Sequence, residues 1–78
     1  MQQGMIESKF QSLRFQKSAR EQRTITLREI ADQTNLSMGT VQKLAKGSVQ
    51  GVRIETLDAL CRYFGLKSLA DLVEYRAD

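Results

Sequence analysis

What this 78-residue chain lacks removes most classes of function. It has no histidine and a single cysteine, Cys61. One cysteine excludes an internal disulfide, and the lack of histidine excludes a Cys/His zinc site. No imidazole is present to serve a nucleophile or act as a general base, so neither an enzyme nor a bound cofactor is expected. Carboxylates and hydroxyls remain, but capping and solvated faces account for the pairs Ser37/Lys43 and Glu29/Asp32. There is no proline to break a helix and no tryptophan. No apolar run approaches the roughly 20 residues that span a bilayer, so no membrane partner is expected. A lone cysteine and the lack of an export signal fit a reducing cytoplasm. One absence is regional: between Asp32 and Glu55 there is no acidic residue, while Lys43, Lys46 and Arg53 lie in that interval.

What is present fits one small folded domain. The composition is 41% hydrophobic and 27% charged, with a net charge of +3 and a pI near 9.4. A chain of this length buries about 60% of its unfolded surface or a little more, so its stability is modest. The positive balance favours a polyanionic partner without demanding one. The local clearing of acid says more than the total does.

The stretch 26–44 organises the rest. Thr26 is an N-cap, and Glu29 stands three places later at the capping-box spacing. Ile30 and Ala31 give the helix that follows an inward face. Asn35 falls where that helix must stop, and asparagine tolerates the left-handed conformation of a C-terminal turn. Leu36 plugs the corner. Ser37 caps a second short helix whose inward residues are Val41 and Leu44. Met38, Gly39, Gln42 and Lys43 are left facing out. Two short helices joined this way form a helix-turn-helix, whose second helix enters the major groove of DNA.

Around that motif the chain reads as helical throughout. The spacing of Ile6, Phe10, Leu13 and Lys17 predicts a first helix over about 5–23. Its other face carries Lys9, Arg14, Lys17, Arg20 and Arg23, which is a solvated face unless its end points at DNA. Ile25 staples onto the helix over 27–34. Arg28 sits unfavourably against the positive end of that helix dipole, either offset by a phosphate or simply solvated. In the helix over 38–46, Gly39 costs up to ~1 kcal/mol relative to alanine. It either permits close approach of DNA or is merely tolerated near a helix end. Gln42 can pair with adenine, Lys43 with guanine, and Met38 can pack on a thymine methyl. The loop over 48–53 either lies on a phosphate through its amides, assisted by Ser48 and Arg53, or is a plain connector. Ile54, Leu57, Leu60, Cys61 and Phe64 mark an amphipathic fourth helix capped by Gly65, with Cys61 as a small core residue. Ser68 and Asp71 are spaced as a second capping box, opening a last helix with Leu69, Leu72 and Val73 inward.

This pattern resembles the Cro/Xre-type helix-turn-helix family of phage and bacterial regulators. Ala31 stands at the family's small-residue position, Asn35 at its turn glycine, and Val41 and Leu44 at its buried recognition-helix positions. The stretch 54–75 is similar to a compact subgroup of stand-alone small regulators. The resemblance implies an all-α, compact five-helix bundle of the lambda-repressor-like type. Residues 1–5 would be a flexible N-terminus, 6–76 a single domain with its motif at about 27–46, and 77–78 a tail. It implies sequence-specific binding to double-stranded DNA, with base contacts at Met38, Gly39, Gln42 and Lys43. Phosphate contacts are expected at Arg28, Ser37, Thr40, Lys46, Ser48 and Arg53. Where the family often has glutamine at the start of the second helix this chain has Leu27, leaving Arg28 as the replacement contact. Ala45 stands where an acidic residue is usual. The expected role is transcription regulation, as a repressor dimer on a near-palindromic operator. The last helix and Tyr75 are the expected dimer face. The alternative is an antitoxin or other interaction module whose DNA-binding motif is secondary.

Overall fold

Helix ends in this protein are set by small polar side chains and by residues that accept left-handed backbone. The computed structural model describes residues 4–77. In chain order the elements are strand β1 (Gly4–Ser8), helices α1 (Phe10–Glu21), α2 (Leu27–Thr34), α3 (Met38–Ala45) and α4 (Ile54–Phe64), a 3-10 turn (Leu69–Asp71), and strand β2 (Val73–Ala77). Thr26 Oγ1 accepts the Glu29 N–H at 3.1 Å, and Ser37 Oγ accepts the Thr40 N–H at 3.1 Å. Asn35 ends α2 at φ 62°, and Gly65 ends α4 at φ 69°. An α-carbon without a side chain meets no penalty there, which is why glycine suits the second position.

The core is one cluster of Phe10, Ile25, Ile30, Ala31, Val41, Leu44, Leu60, Phe64 and Leu72. Every helix contributes to it, as do the α1–α2 connection through Ile25 and the residue before β2 through Leu72. Phe10 and Phe64 meet edge to face at 5.8 Å between ring centroids, a favoured aromatic geometry. Leu13, Leu27, Leu36, Leu57 and Cys61 lie half-buried against the cluster. Burial, with Asp58 and Asp71 adding to it, pushes the Cys61 thiol above its ordinary range. That keeps it protonated and unreactive.

Both ends of the chain depart from an all-helical reading. The expected first helix over 5–23 is shorter, because the chain over Gly4–Ser8 is extended and pairs antiparallel with Val73–Ala77. Ser8 Oγ accepts the Phe10 N–H, Lys9 N–H donates to the Leu72 carbonyl at 2.7 Å, and Ser8 N–H donates to the Gly47 carbonyl at 3.0 Å. These tertiary bonds hold the backbone out of the helix that the Ile6–Phe10–Leu13 spacing allows. Ile6 therefore does not join the core. Gly4 and Met5 belong to β1 instead of a loose N-terminus, while residues 1–3 lie outside the described residues. The expected fifth helix is only the short 3-10 turn. Ser68 Oγ accepts the Ala70 N–H, but β-branched Val73 and aromatic Tyr75 then favour a strand. Leu69 is exposed where it was expected inward, and Ala77 ends β2 instead of opening a tail. The fold is thus four α-helices with a two-stranded ribbon, neither five helices nor strictly all-α.

A charged clamp joins α1 to α2. The Arg23 guanidinium binds both carboxylate oxygens of Glu29, at 2.9 and 2.7 Å, and also bonds Glu21. This fork-on-fork geometry turns Glu29 away from its expected capping-box bond to the Thr26 N–H, so that box is half made. Lys17 completes the group through a 2.8 Å bridge to Glu21. The Arg23 hydrogen bonds hold the Glu29 carboxyl below its ordinary range, and the Lys17 hydrogen bond, followed by Arg23, does the same for Glu21. A depressed carboxylate pKa contributes stability that is whole above the unfolded value, about 4.3 for glutamate, and lost as pH falls through the lower folded value. Thermal melting should therefore shift down as pH drops below that range. Arg23→Gln should flatten the part of the shift that Glu29 and Glu21 supply. An unchanged acid profile in that variant would show that the clamp does not govern acid stability.

Candidate nucleic-acid interface

The outward face of α3 is fixed by what its inward face buries. Val41 and Leu44 are fully buried, and Met38 and Ala45 are half-buried against the same cluster. With 3.6 residues per turn, this leaves Gly39, Gln42, Lys43 and Lys46 as the opposite stripe, and all of them are exposed. Ile30 and Ala31 of α2 form the floor on which α3 rests. The small side chain of Ala31 lets the two helices approach closely.

The polar groups along this stripe differ in what they already bind. Gln42 makes no side-chain hydrogen bond among the described residues, so its amide is fully available. Lys43 is turned back along the surface, and its Nζ donates to the Gln50 carbonyl at 2.9 Å. Lys43 thus ties α3 to the loop that follows, and a base contact would have to take its ammonium from that carbonyl. Met38 leans on the core with one side and keeps the rest toward solvent. Ser37 Oγ accepts the Thr40 N–H and donates to Thr40 Oγ1 at 2.9 Å. The Thr40 hydroxyl keeps its own proton free to donate.

Gly39 is the informative position. A Cβ built on it meets nothing within 4 Å, and its backbone is not among the positive-φ glycines. Neither packing nor conformation inside the chain asks for glycine there. The helix bears the cost of a poor helix former without any return within the domain. Of the two readings of Gly39, that favours close approach of an outside surface.

Phosphate candidates flank the stripe. Arg28 in the first turn of α2, Lys46 at the end of α3 and Arg53 at the start of α4 are exposed, with no ion pair among the described residues. Half of the loop amides over 48–53 are spent. Ser48 N–H donates to the Lys43 carbonyl, Gln50 N–H to Ser48 Oγ, and Val52 N–H to the Val49 carbonyl. The Val49, Gly51 and Arg53 amides make no bond among the described residues, so a phosphate contact over this loop is open to them as well as to the side chains. Ser48 is half-buried, and its hydroxyl remains free to donate.

Most basic residues in and around α1 serve the fold instead. Arg14 donates to the Ile25 carbonyl at 2.6 Å and Lys9 to the Ala70 carbonyl at 3.2 Å. Lys17 lies over the Tyr63 ring at 5.0 Å while it bridges Glu21, and Arg23 clamps α2. Arg20 is exposed, without an ion pair among the described residues. The sequence pattern cannot separate these roles, because each partner is a backbone carbonyl or an acid on another turn or helix. The Lys43–Gln50 tie was hidden for the same reason.

No helix among the described residues is long and apolar enough to cross a membrane. No curated protein and no solved structure matched the chain. A family model did, that of the Cro/C1-type helix-turn-helix DNA-binding domain, over residues 17–78. The match takes in α2, α3, α4 and β2 and begins within α1, so it covers the whole motif whose geometry is given above. The chain belongs to the Cro/C1-type helix-turn-helix DNA-binding domain family.

Proposed function

We propose that this protein is a sequence-specific transcription regulator, a repressor that acts in the cytoplasm as a dimer on a near-palindromic operator. Its family is one of DNA-binding domains. The observation that carries the finer reading is the exposed stripe of α3, with an unengaged Gln42 amide, a glycine that nothing in the fold requires, and no acidic residue between Asp32 and Glu55. The proposed base contacts are Met38, Gly39, Gln42 and Lys43, with Gln42 foremost because Lys43 must first leave Gln50. The proposed phosphate contacts are Arg28, Ser37, Thr40, Lys46, Ser48 and Arg53. A single reading helix covers too few base pairs to select one site in a genome. Two copies on half-sites one helical turn apart, ~34 Å, remove that limit. Occlusion of a promoter by such a dimer gives repression without any further domain.

Selection from a random duplex pool should return a motif with approximate two-fold symmetry. On that operator at low salt, Gln42→Ala should weaken binding by about 1–3 kcal/mol and relax the preference at one base pair. Lys46→Ala should weaken all sequences alike and lower the slope of log K against log salt by about 0.9. A Gln42→Ala variant that binds the selected operator as tightly as the parent does would remove α3 as the reading element.

Gly39→Ala should separate folding from binding. At the second position of the helix it should raise stability by up to about 0.5 kcal/mol, the smaller part of the ~1 kcal/mol seen in helix interiors. The same methyl should weaken DNA binding, because it stands where a base edge or sugar comes close. Thermal melting and a binding titration on one preparation check both signs. Unchanged or improved affinity would mean that Gly39 is tolerated and not needed.

A further inference from the structure

The two-stranded ribbon is the least explained part of the molecule. An isolated pair of strands is marginal in water, and stable sheets have more strands or a covering layer. Here one ribbon face carries Ile6 and Tyr75 as cross-strand partners, and both are more than half exposed, at 51% and 65%. The other face sets Glu7 directly opposite Glu74. Like charges in that position are unfavourable. Arg76 bridges to Glu7 at 3.0 Å, whereas Glu74 has no ion pair among the described residues.

The hydrogen-bond phase of the ribbon identifies its open edge. Lys9 N–H donates to the Leu72 carbonyl, one step beyond the Ser8–Val73 pair. Bonded and non-bonded pairs alternate in an antiparallel ladder. Glu74 and Arg76 therefore direct their N–H and C=O groups at β1, and Val73, Tyr75 and Ala77 direct theirs away from it. No backbone bond from those outward groups occurs among the described residues. The outer edge of β1 differs, because the Ser8 N–H is already taken by the Gly47 carbonyl. Edge strands are usually blunted by proline, a bulge or charge; β2 has neither proline nor bulge, and its two charges, Glu74 and Arg76, are of opposite sign.

We propose that the outer edge of β2 pairs antiparallel with the same edge of a second copy, with the two-fold axis at Tyr75. The proposal rests on the dimer reading above and names its face. In this register Tyr75 exchanges both backbone bonds with the partner's Tyr75, and Val73 and Ala77 bond the partner's Ala77 and Val73. Glu74 comes opposite the partner's Arg76, and Arg76 opposite the partner's Glu74. The strand is self-complementary in charge, as a symmetric interface must be. The acid that lacks a cation in one copy acquires one from the other. On the opposite face the order Ile6, Tyr75, the partner's Tyr75 and the partner's Ile6 makes one continuous apolar row across four strands. A β1-to-β1 pairing centred on Ile6 would set Met5 opposite Glu7 and offers no such match.

The test uses two charge reversals in the full chain, Glu74→Arg and Arg76→Glu. Each variant places like charges opposite one another when it pairs with itself. Mixed one to one, the two variants place Arg opposite Glu at every such position. Sedimentation equilibrium should show the parent as a dimer. Each single variant should raise the dissociation constant about tenfold or more, and the mixture should return to within about threefold of the parent. Circular dichroism melting confirms that each variant is folded. Ala77→Pro, which removes an outward N–H and leaves the β1 ladder intact, should also weaken the dimer. If the parent is a dimer and the single variants remain dimers, the face lies elsewhere, and the dimer reading survives without this proposal. If the single variants dissociate and the mixture does not recover, the register is wrong and the proposal falls. A parent that is monomeric in solution and on its selected operator removes the dimer reading and this proposal together.

Discussion

The burial of Val41 and Leu44 is the constraint on which the rest depends. A helix of eight residues has little intrinsic stability and takes its orientation from the surface it packs on. With those two side chains fully buried and α3 packed on α2 and α1, the rotation of α3 about its axis is set, and with it the identity of every residue presented to solvent. The hydroxyl of Ser37 and the left-handed backbone of Asn35 define where α3 begins and the angle at which it leaves α2. Which residues α3 presents outward is thus a by-product of packing: Gln42 and Lys43 face solvent because Val41 and Leu44, one and two positions away, take the opposite face.

The centre of the fold was legible in the sequence because its determinants are local. Caps act within four residues, amphipathic stripes within two turns, and Gly65 stops a helix by its own conformation. The ends were not legible, because their structure is decided by groups some sixty residues apart in the chain, as Lys9 and Leu72 are. Ile6, Phe10 and Leu13 fit a helical stripe as well as they fit the observed strand followed by a helix. Ile54 fits the α4 stripe by spacing, yet it is 72% exposed, since α4 turns Leu60 and Phe64 inward. The exposed stripe of α3 was legible as a set of positions, but the state of each side chain was not. A lysine is long enough to choose among several acceptors, and Lys43 chooses a carbonyl on the loop that follows.

Charge in this protein is divided by location. Lys17 of α1 and Arg23 just past it are consumed at the junction with α2, in a network with Glu21 and Glu29, while Arg20 has no ion pair among the described residues. The cations of α2, α3 and the start of α4 stay solvated and unneutralised. A net charge of +3 hides this partition, because no acidic residue lies between Asp32 and Glu55, the interval that holds α3. Exposed cations that no acid balances raise encounter rates with a polyanion.

The Gly47 carbonyl that receives the Ser8 N–H lies just past the reading helix, so the first strand is tied to the motif by backbone as well as to β2. The region shared with the family begins only at residue 17. A fragment trimmed to that shared region would lose β1 and residues 10–16 of α1, the buried Phe10 among them, and leave β2 with two bare edges. Bare edges recruit strands from other molecules without regard to symmetry. Such a fragment would keep α3 with its exposed stripe and be drawn into open-ended aggregation.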